Sequence, residues 1–150
     1  MSREATGRTY SIKEAAALTG LAASTLRYYE SIGVIPPISR GASSRHRVYD
    51  EADLDQLMSV ACLSATGLSV TDMRQYVANW QTGPDAALDQ VGLLTAQAQR
   101  LAEEAERIEL RRRYVQLKID YWHAVAAGDT ERADLLGDEA TRLPTDLKRR

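Results

Sequence analysis

The chain contains no phenylalanine, four prolines and a single cysteine in 150 residues. One thiol, Cys62, excludes an intramolecular disulfide. No apolar run approaches the roughly 20 residues needed to cross a bilayer as a helix. The stretch Met1 to Tyr10 is polar and has no apolar core of the kind a signal peptide carries. No catalytic triad, phosphate loop or metal-ligand spacing occurs. Asp53 and Asp55 come nearest to a carboxylate pair, but they read as first-turn charges that favour a helix dipole. The expectation is a cytoplasmic protein with no membrane partner, no enzymatic activity and no cofactor.

Acidic residues slightly outnumber basic ones, giving a net charge of −2. The charges are unevenly placed. Residues 1–50 hold seven Lys/Arg against four Asp/Glu, and His46 besides, whereas residues 51–99 hold one basic and six acidic side chains. A basic head on a neutral-to-acidic body is the asymmetry expected when one end meets phosphates.

Helix signals divide the chain. Ser11, with Glu14 three residues on, forms a capping box before Ile12, Ala15, Ala16 and Leu18, and Thr19-Gly20 stops that helix. Ser24 is predicted to cap a second short helix, Thr25 to Ile32, closed by Gly33. Two short helices across a tight turn make a helix-turn-helix pattern. Val34-Ile35-Pro36-Pro37 forces an extended exit. Ile38-Ser39-Arg40 and Arg47-Val48-Tyr49 then alternate like two strands around the polar tip Gly41 to His46, which predicts a small β-hairpin wing. Asp50 and Ser69 cap a third and a fourth helix.

Beyond Pro84 the period changes. Val91, Leu94, Ala98, Leu101, Ala105, Ile108, Arg112, Val115, Ile119 and Trp122 step by three and four residues. That is a heptad seam, too narrow to bury itself, and a second copy of the chain is its simplest partner. Arg112 marks either an opening of the seam or a pairing with Glu103, Glu106 or Glu109 across the dyad. A second stripe, Leu110, Tyr114, Leu117, Tyr121 and Val125, is placed to take a tail helix that Asp129 caps. The predicted organisation is a mostly α chain. It has a winged helix-turn-helix head over 10–82, a long coiled-coil dimerisation helix over 85–127 and a short C-terminal helix over 129–143. Lys148 to Arg150 is expected to fray.

The stretch Thr25-Leu26-Arg27-Tyr28-Tyr29-Glu30 is the most specific in the chain. Arg is the preferred bidentate partner of phosphate and guanine, and Tyr can bring a hydroxyl to a phosphate. With Tyr10-Ser11-Ile12-Lys13-Glu14-Ala15-Ala16, Gly33-Val34-Ile35-Pro36-Pro37, Arg47-Val48-Tyr49-Asp50 and Gly67-Leu68-Ser69, it makes the chain closely resemble the MerR family of bacterial regulators. The resemblance runs from about Tyr10 to Trp80. It implies a homodimer, joined by an antiparallel coiled coil, on a pseudo-palindrome in double-stranded promoter DNA. The dimer distorts the promoter spacer so that RNA polymerase can engage it. By motif match, Arg27, Tyr28 and Tyr29 touch DNA and Arg45 and Arg47 grip its backbone, with His46 and Arg40 as further candidates. Arg40 also has a structural reading. Val91, Leu94, Ala98, Leu101, Ala105, Ile108 and Val115 carry dimerisation. An architectural, excisionase-like DNA binder is the alternative, and such proteins usually lack the dimer helix.

Metal-sensing branches carry cysteines near the start of the long helix, but Asp85 to Glu109 holds neither Cys nor His, so no metal site is expected there. Cys62-Leu63-Ser64-Ala65-Thr66-Gly67-Leu68-Ser69 matches the lone-cysteine placement of the aldehyde- and thiol-responsive NmlR/AdhR-like branch. Two readings of Cys62 stay open: a thiol sensor, or a small hydrophobe buried in the run Val60-Ala61-Cys62-Leu63.

Overall fold

The computed structural model describes residues 7–143 and Leu147. Among the described residues six α-helices follow one another: α1 (Ile12–Thr19), α2 (Ala23–Ser31), α3 (Glu51–Ala65), α4 (Val70–Thr82), α5 (Ala87–Ala127) and α6 (Thr130–Arg142). A 3₁₀ turn, Pro84–Ala86, leads into α5. The basic tail Lys148 to Arg150 lies outside the described residues. The chain divides into two compact units between Leu94 and Thr95, inside α5.

The caps explain most helix starts. Ser11 Oγ accepts the Glu14 N–H at 3.2 Å, and the Glu14 carboxylate accepts the Ser11 N–H at 3.2 Å. Asp50 and Asp53 repeat that reciprocal box at 2.7 and 3.0 Å before α3. Ser69 and Asp129 cap α4 and α6 through the N–H groups of Asp72 and Arg132. Each bond satisfies a donor that the first helical turn leaves without a partner. The start of α2 departs from expectation. Its N-cap is Ala22, which offers no side-chain bond, so Ser24 sits inside the first turn instead of capping it.

The first unit packs α1 against α2 and α3, and α3 against α4. Its core joins Ala15 of α1, Leu26 and Tyr29 of α2, Val34, Ile35 and Ile38 of the exit segment, and Tyr49. Leu54, Leu57 and Val60 of α3 complete it with Leu68, Met73 and Val77. Leu93, in the second turn of α5, also packs on this core. A partly buried amide relay ties α4 to α5. Gln75 donates to Asn79 at 2.7 Å, Asn79 to Gln90 at 3.0 Å, and Gln90 to the Tyr76 carbonyl at 2.9 Å. These contacts are the physical reason that the first turns of α5 belong to the first unit.

Among the described residues the expected pair of strands reduces to two isolated antiparallel bridges, Arg40 with Arg47 and Tyr10 with Tyr49. The tip between them is closed by Gly41 N–H to His46 O at 2.9 Å and Arg45 N–H to Gly41 O at 3.0 Å.

In the second unit Leu117 and Ala124 of α5 and Ala133 and Ala140 of α6 are buried. Tyr121 lies against Gly137, and Arg113 pairs with Glu139 at 3.0 Å. The late stripe therefore takes the tail helix, but through Ala124, since Val125 is 43% exposed. The other face of α5 is bare: Leu101, Ile108, Val115, Ile119 and Trp122 are all exposed.

Candidate nucleic-acid interface

The side chains nominated for DNA lie on three pieces of backbone. Arg27 and Tyr28 are exposed on α2, Arg40 stands at the start of the hairpin-like turn, and Arg45 and His46 stand at its tip. Arg27, Arg40, His46 and Arg47 line one shallow depression of about 170 Å³, together with Ser11, Ile12 and Lys13 from the start of α1. Four cationic side chains, Lys13, Arg27, Arg40 and Arg47, thus converge from three segments, an arrangement suited to a run of phosphates.

Glu30 holds one of them, Arg47, in place. Its carboxylate accepts the Ile38 N–H at 3.0 Å with one oxygen and ion-pairs with Arg47 Nε through the other. Both side chains of the pair are largely shielded, 12% exposed for Glu30 and 19% for Arg47. Burial works against the charged carboxylate. The Arg47 hydrogen bond, the Ile38 N–H and the charges of Arg47 and Arg40 outweigh it, so Glu30 sits below the usual carboxylate range. The bridge clamps α2 to the base of the turn.

Several nominated residues have a more structural place than expected. Tyr29 departs from the expectation of a DNA contact: its ring is in the core at 6% exposure and its hydroxyl shares a 3.3 Å bond with Ser64 Oγ of α3. Tyr28, its neighbour, points outward at 54% exposure. Arg47 spends its Nε on Glu30. Arg40 donates from Nη1 to the Arg45 carbonyl at 3.1 Å, which shapes the tip. Arg45 is the one non-glycine residue with positive φ among the described residues, at +56°.

Lys13 and Glu30 were not among the nominated site residues. Lys13 had a visible signal: a cation in the first turn of a helix opposes the macrodipole and invites an outside anion. Glu30 had a fainter one, an acid in a helix meant for phosphates, which needs a neutralising partner. Cys62 is exposed, which overturns its reading as a buried hydrophobe. It lies on the outer face of α3 with Met58, which is 44% exposed.

Residues 10–80 match the MerR HTH family regulatory protein family. A probable heavy metal-dependent transcriptional regulator of Haemophilus influenzae is 35% identical over 79% of this chain and 88% of its own length. The chain belongs to the MerR family. The MerR relative AdhR, an HTH-type transcriptional regulator of Bacillus subtilis, is 36% identical over 61% of this chain and 65% of its own length. The chain spans about half of another Bacillus subtilis regulator, YyaN, at 49%. Among solved structures, HiNmlR, a MerR family regulator lacking the sensor domain and bound to promoter DNA, superposes with a TM-score of 0.65. It is 25% identical over 81% of this chain and 96% of that one. No helix among the described residues is long and apolar enough to cross a membrane.

Proposed function

We propose that this MerR regulator works in the cytoplasm as a homodimer on a promoter pseudo-palindrome. It distorts the DNA spacer so that RNA polymerase can engage the promoter. The observation that carries this reading is the convergence of Lys13, Arg27, Arg40, His46 and Arg47 on one depression. α2 presents Arg27 and Tyr28 to the duplex, and the Gly41 to His46 tip acts as a wing whose Arg45 and His46 reach the adjoining backbone. Specificity then comes largely from deformation of the spacer, because cationic side chains that meet phosphates read shape more than base edges.

The dimer reading rests on the bare seam of α5. Val91, Leu94, Leu101, Ile108 and Val115 are between 39% and 57% exposed in a single chain, and water on so long an apolar stripe is costly. It also separates this reading from a non-sensing, excisionase-like binder, which needs no second copy.

The test is affinity against salt. Arg27→Ala and Lys13→Ala each lower the slope of log K against log salt by about one, with helical circular dichroism unchanged. Unchanged slopes and affinities in both variants sink the assignment. Cys62 is the proposed input. An exposed thiol reacts with an aldehyde or other electrophile without prior unfolding. Promoter output under thiol-reactive stress should respond in the wild type and not in Cys62→Ala. An equal response in both removes Cys62 as the sensor.

A further inference from the structure

The apolar seam of α5 is symmetric about a point between Glu106 and Arg107. We infer that two copies pair antiparallel in the one register centred there, with Glu104 of each chain facing Arg111 of the other. This rests on the homodimer reading above and adds its residue-level register. In that register Ile108 faces the partner's Ala105, Val115 faces the partner's Ala98, and Leu101 faces the partner's Arg112. Each bulky side chain meets a small or flexible one, as interdigitating layers require. The same symmetry carries outward along the pattern, setting Ile119 and Trp122 opposite the partner's Leu94 and Val91.

Charge selects this register over its neighbours. With Ala105 and Arg112 at a positions and Leu101 and Ile108 at d positions, Glu104 and Arg111 fall at g positions. Both are exposed. Antiparallel helices set g against g and e against e. In the centred register Glu104 meets the partner's Arg111, twice by symmetry. Sliding one heptad one way brings Glu104 against the partner's Glu104. Sliding one heptad the other way brings Arg111 against the partner's Arg111 and the e-position Glu109 against the partner's Glu109, which offsets the two Glu104–Lys118 pairs that this slip forms. Both slips place like charges together, so the sequence rejects them as well as favouring the centred form. Arg112 on this account needs no acid at the seam. Its aliphatic stem covers the partner's Leu101, and its guanidinium reaches outward, where it already meets Glu109 of its own chain at 3.4 Å.

Disulfide trapping in the full-length chain tests this, in a Cys62→Ser background. Ala98→Cys with Val115→Cys should give a covalent dimer on mild oxidation. Neither single variant should, because in this register each introduced thiol lies roughly 25 Å from its own copy along the helix. All the positions used are exposed in the single chain, so the variants should fold. Covalent dimers from Ala98→Cys with Trp122→Cys, or from Ala98→Cys with Ile108→Cys, mark the slipped registers and overturn the inference. As an independent arm, Glu104→Arg should raise the dimer Kd by about tenfold, and adding Arg111→Glu should restore it to within about threefold. A dimer by light scattering with no restoration overturns the register alone. A monomeric wild type overturns the dimer reading beneath it.

Discussion

Glu30 and Arg47 stand seventeen residues apart in sequence and meet as a shielded ion pair between α2 and the base of the turn. The same carboxylate accepts the Ile38 N–H, so one side chain fixes both the exit from α2 and the return of the chain. An acid so close to the proposed phosphate-binding surface is tolerable only because its charge is spent inward, on Arg47 and the Ile38 N–H.

Replacing Glu30 should therefore weaken DNA binding through geometry. Glu30→Gln keeps the shape but leaves the Arg47 guanidinium without a counter-charge, and should cost about 1.5–3 kcal/mol of stability. The pH dependence has a defined sign. The folded carboxyl sits below its ordinary value, so the stability it contributes is present above about pH 4.3 and is lost as pH falls through that region and below. Urea unfolding of wild type and Glu30→Gln should differ most near neutral pH and converge toward pH 3. A gap that stays constant across that range would rule out the charged bridge as its source.

Much of this architecture was legible residue by residue, and the exceptions have physical causes. The Ser11/Glu14 and Asp50/Asp53 boxes are local in sequence and formed as read. Ser24 misled because a good capping residue does not force a cap: Ala22 already holds the extended conformation that starts α2 two residues earlier. Tyr28 and Tyr29 looked equivalent as a pair. Successive helical residues point about 100° apart, though, and Tyr29 shares its face with Leu26, three residues earlier, so it goes inward. The Glu30–Arg47 bridge and the gathering of Lys13 with Arg27 depend on how separate segments fold together, which no local pattern encodes. The strands of the hairpin were overread because alternation over three residues does not make a strand, and here it yields a single bridge on each side of Val48.

Tyr49 supplies a second prediction. It is fully buried, its main chain pairs with Tyr10 in both directions at 2.8 and 2.9 Å, and its hydroxyl has no hydrogen-bond partner among the described residues. Burial, the largest influence, pushes the phenol above its ordinary value. Tyr49→Phe removes an unsatisfied polar atom while keeping the ring, so stability should stay level or rise by up to about 1 kcal/mol. Tyr49→Ala, which opens a cavity, should cost about 3–5 kcal/mol. Because the folded phenol titrates high, the wild type keeps its full stability below about pH 10 and loses it as pH climbs beyond. Tyr49→Phe should lose less over that alkaline range. A Tyr49→Phe protein destabilised by 2 kcal/mol or more would mean that the hydroxyl is satisfied after all.

Arg45 sets stability against function. Its φ of +56° is the left-handed conformation, which a side chain with a Cβ holds at a cost of roughly 1–2 kcal/mol. Nothing in its main-chain bonds requires an arginine there: its N–H donates to Gly41 O and its carbonyl accepts from Arg40, and any residue offers those atoms. The side chain is exposed at the tip, which suits a DNA contact and little else. Strain of this kind persists where the side chain is needed. Arg45→Gly should relieve it, less the added freedom of the unfolded chain, for a net gain of about 0.5–1 kcal/mol and a rise of a few degrees in Tm. The same change should weaken promoter binding and lower the salt slope by about one. Arg45→Ala separates the two effects, since it loses the charge and keeps the strained backbone: affinity should fall with no gain in Tm. If Arg45→Gly lowers Tm, the arginine is packing at the tip and the strain argument fails. If both variants bind DNA with wild-type affinity, the tip does not reach the duplex.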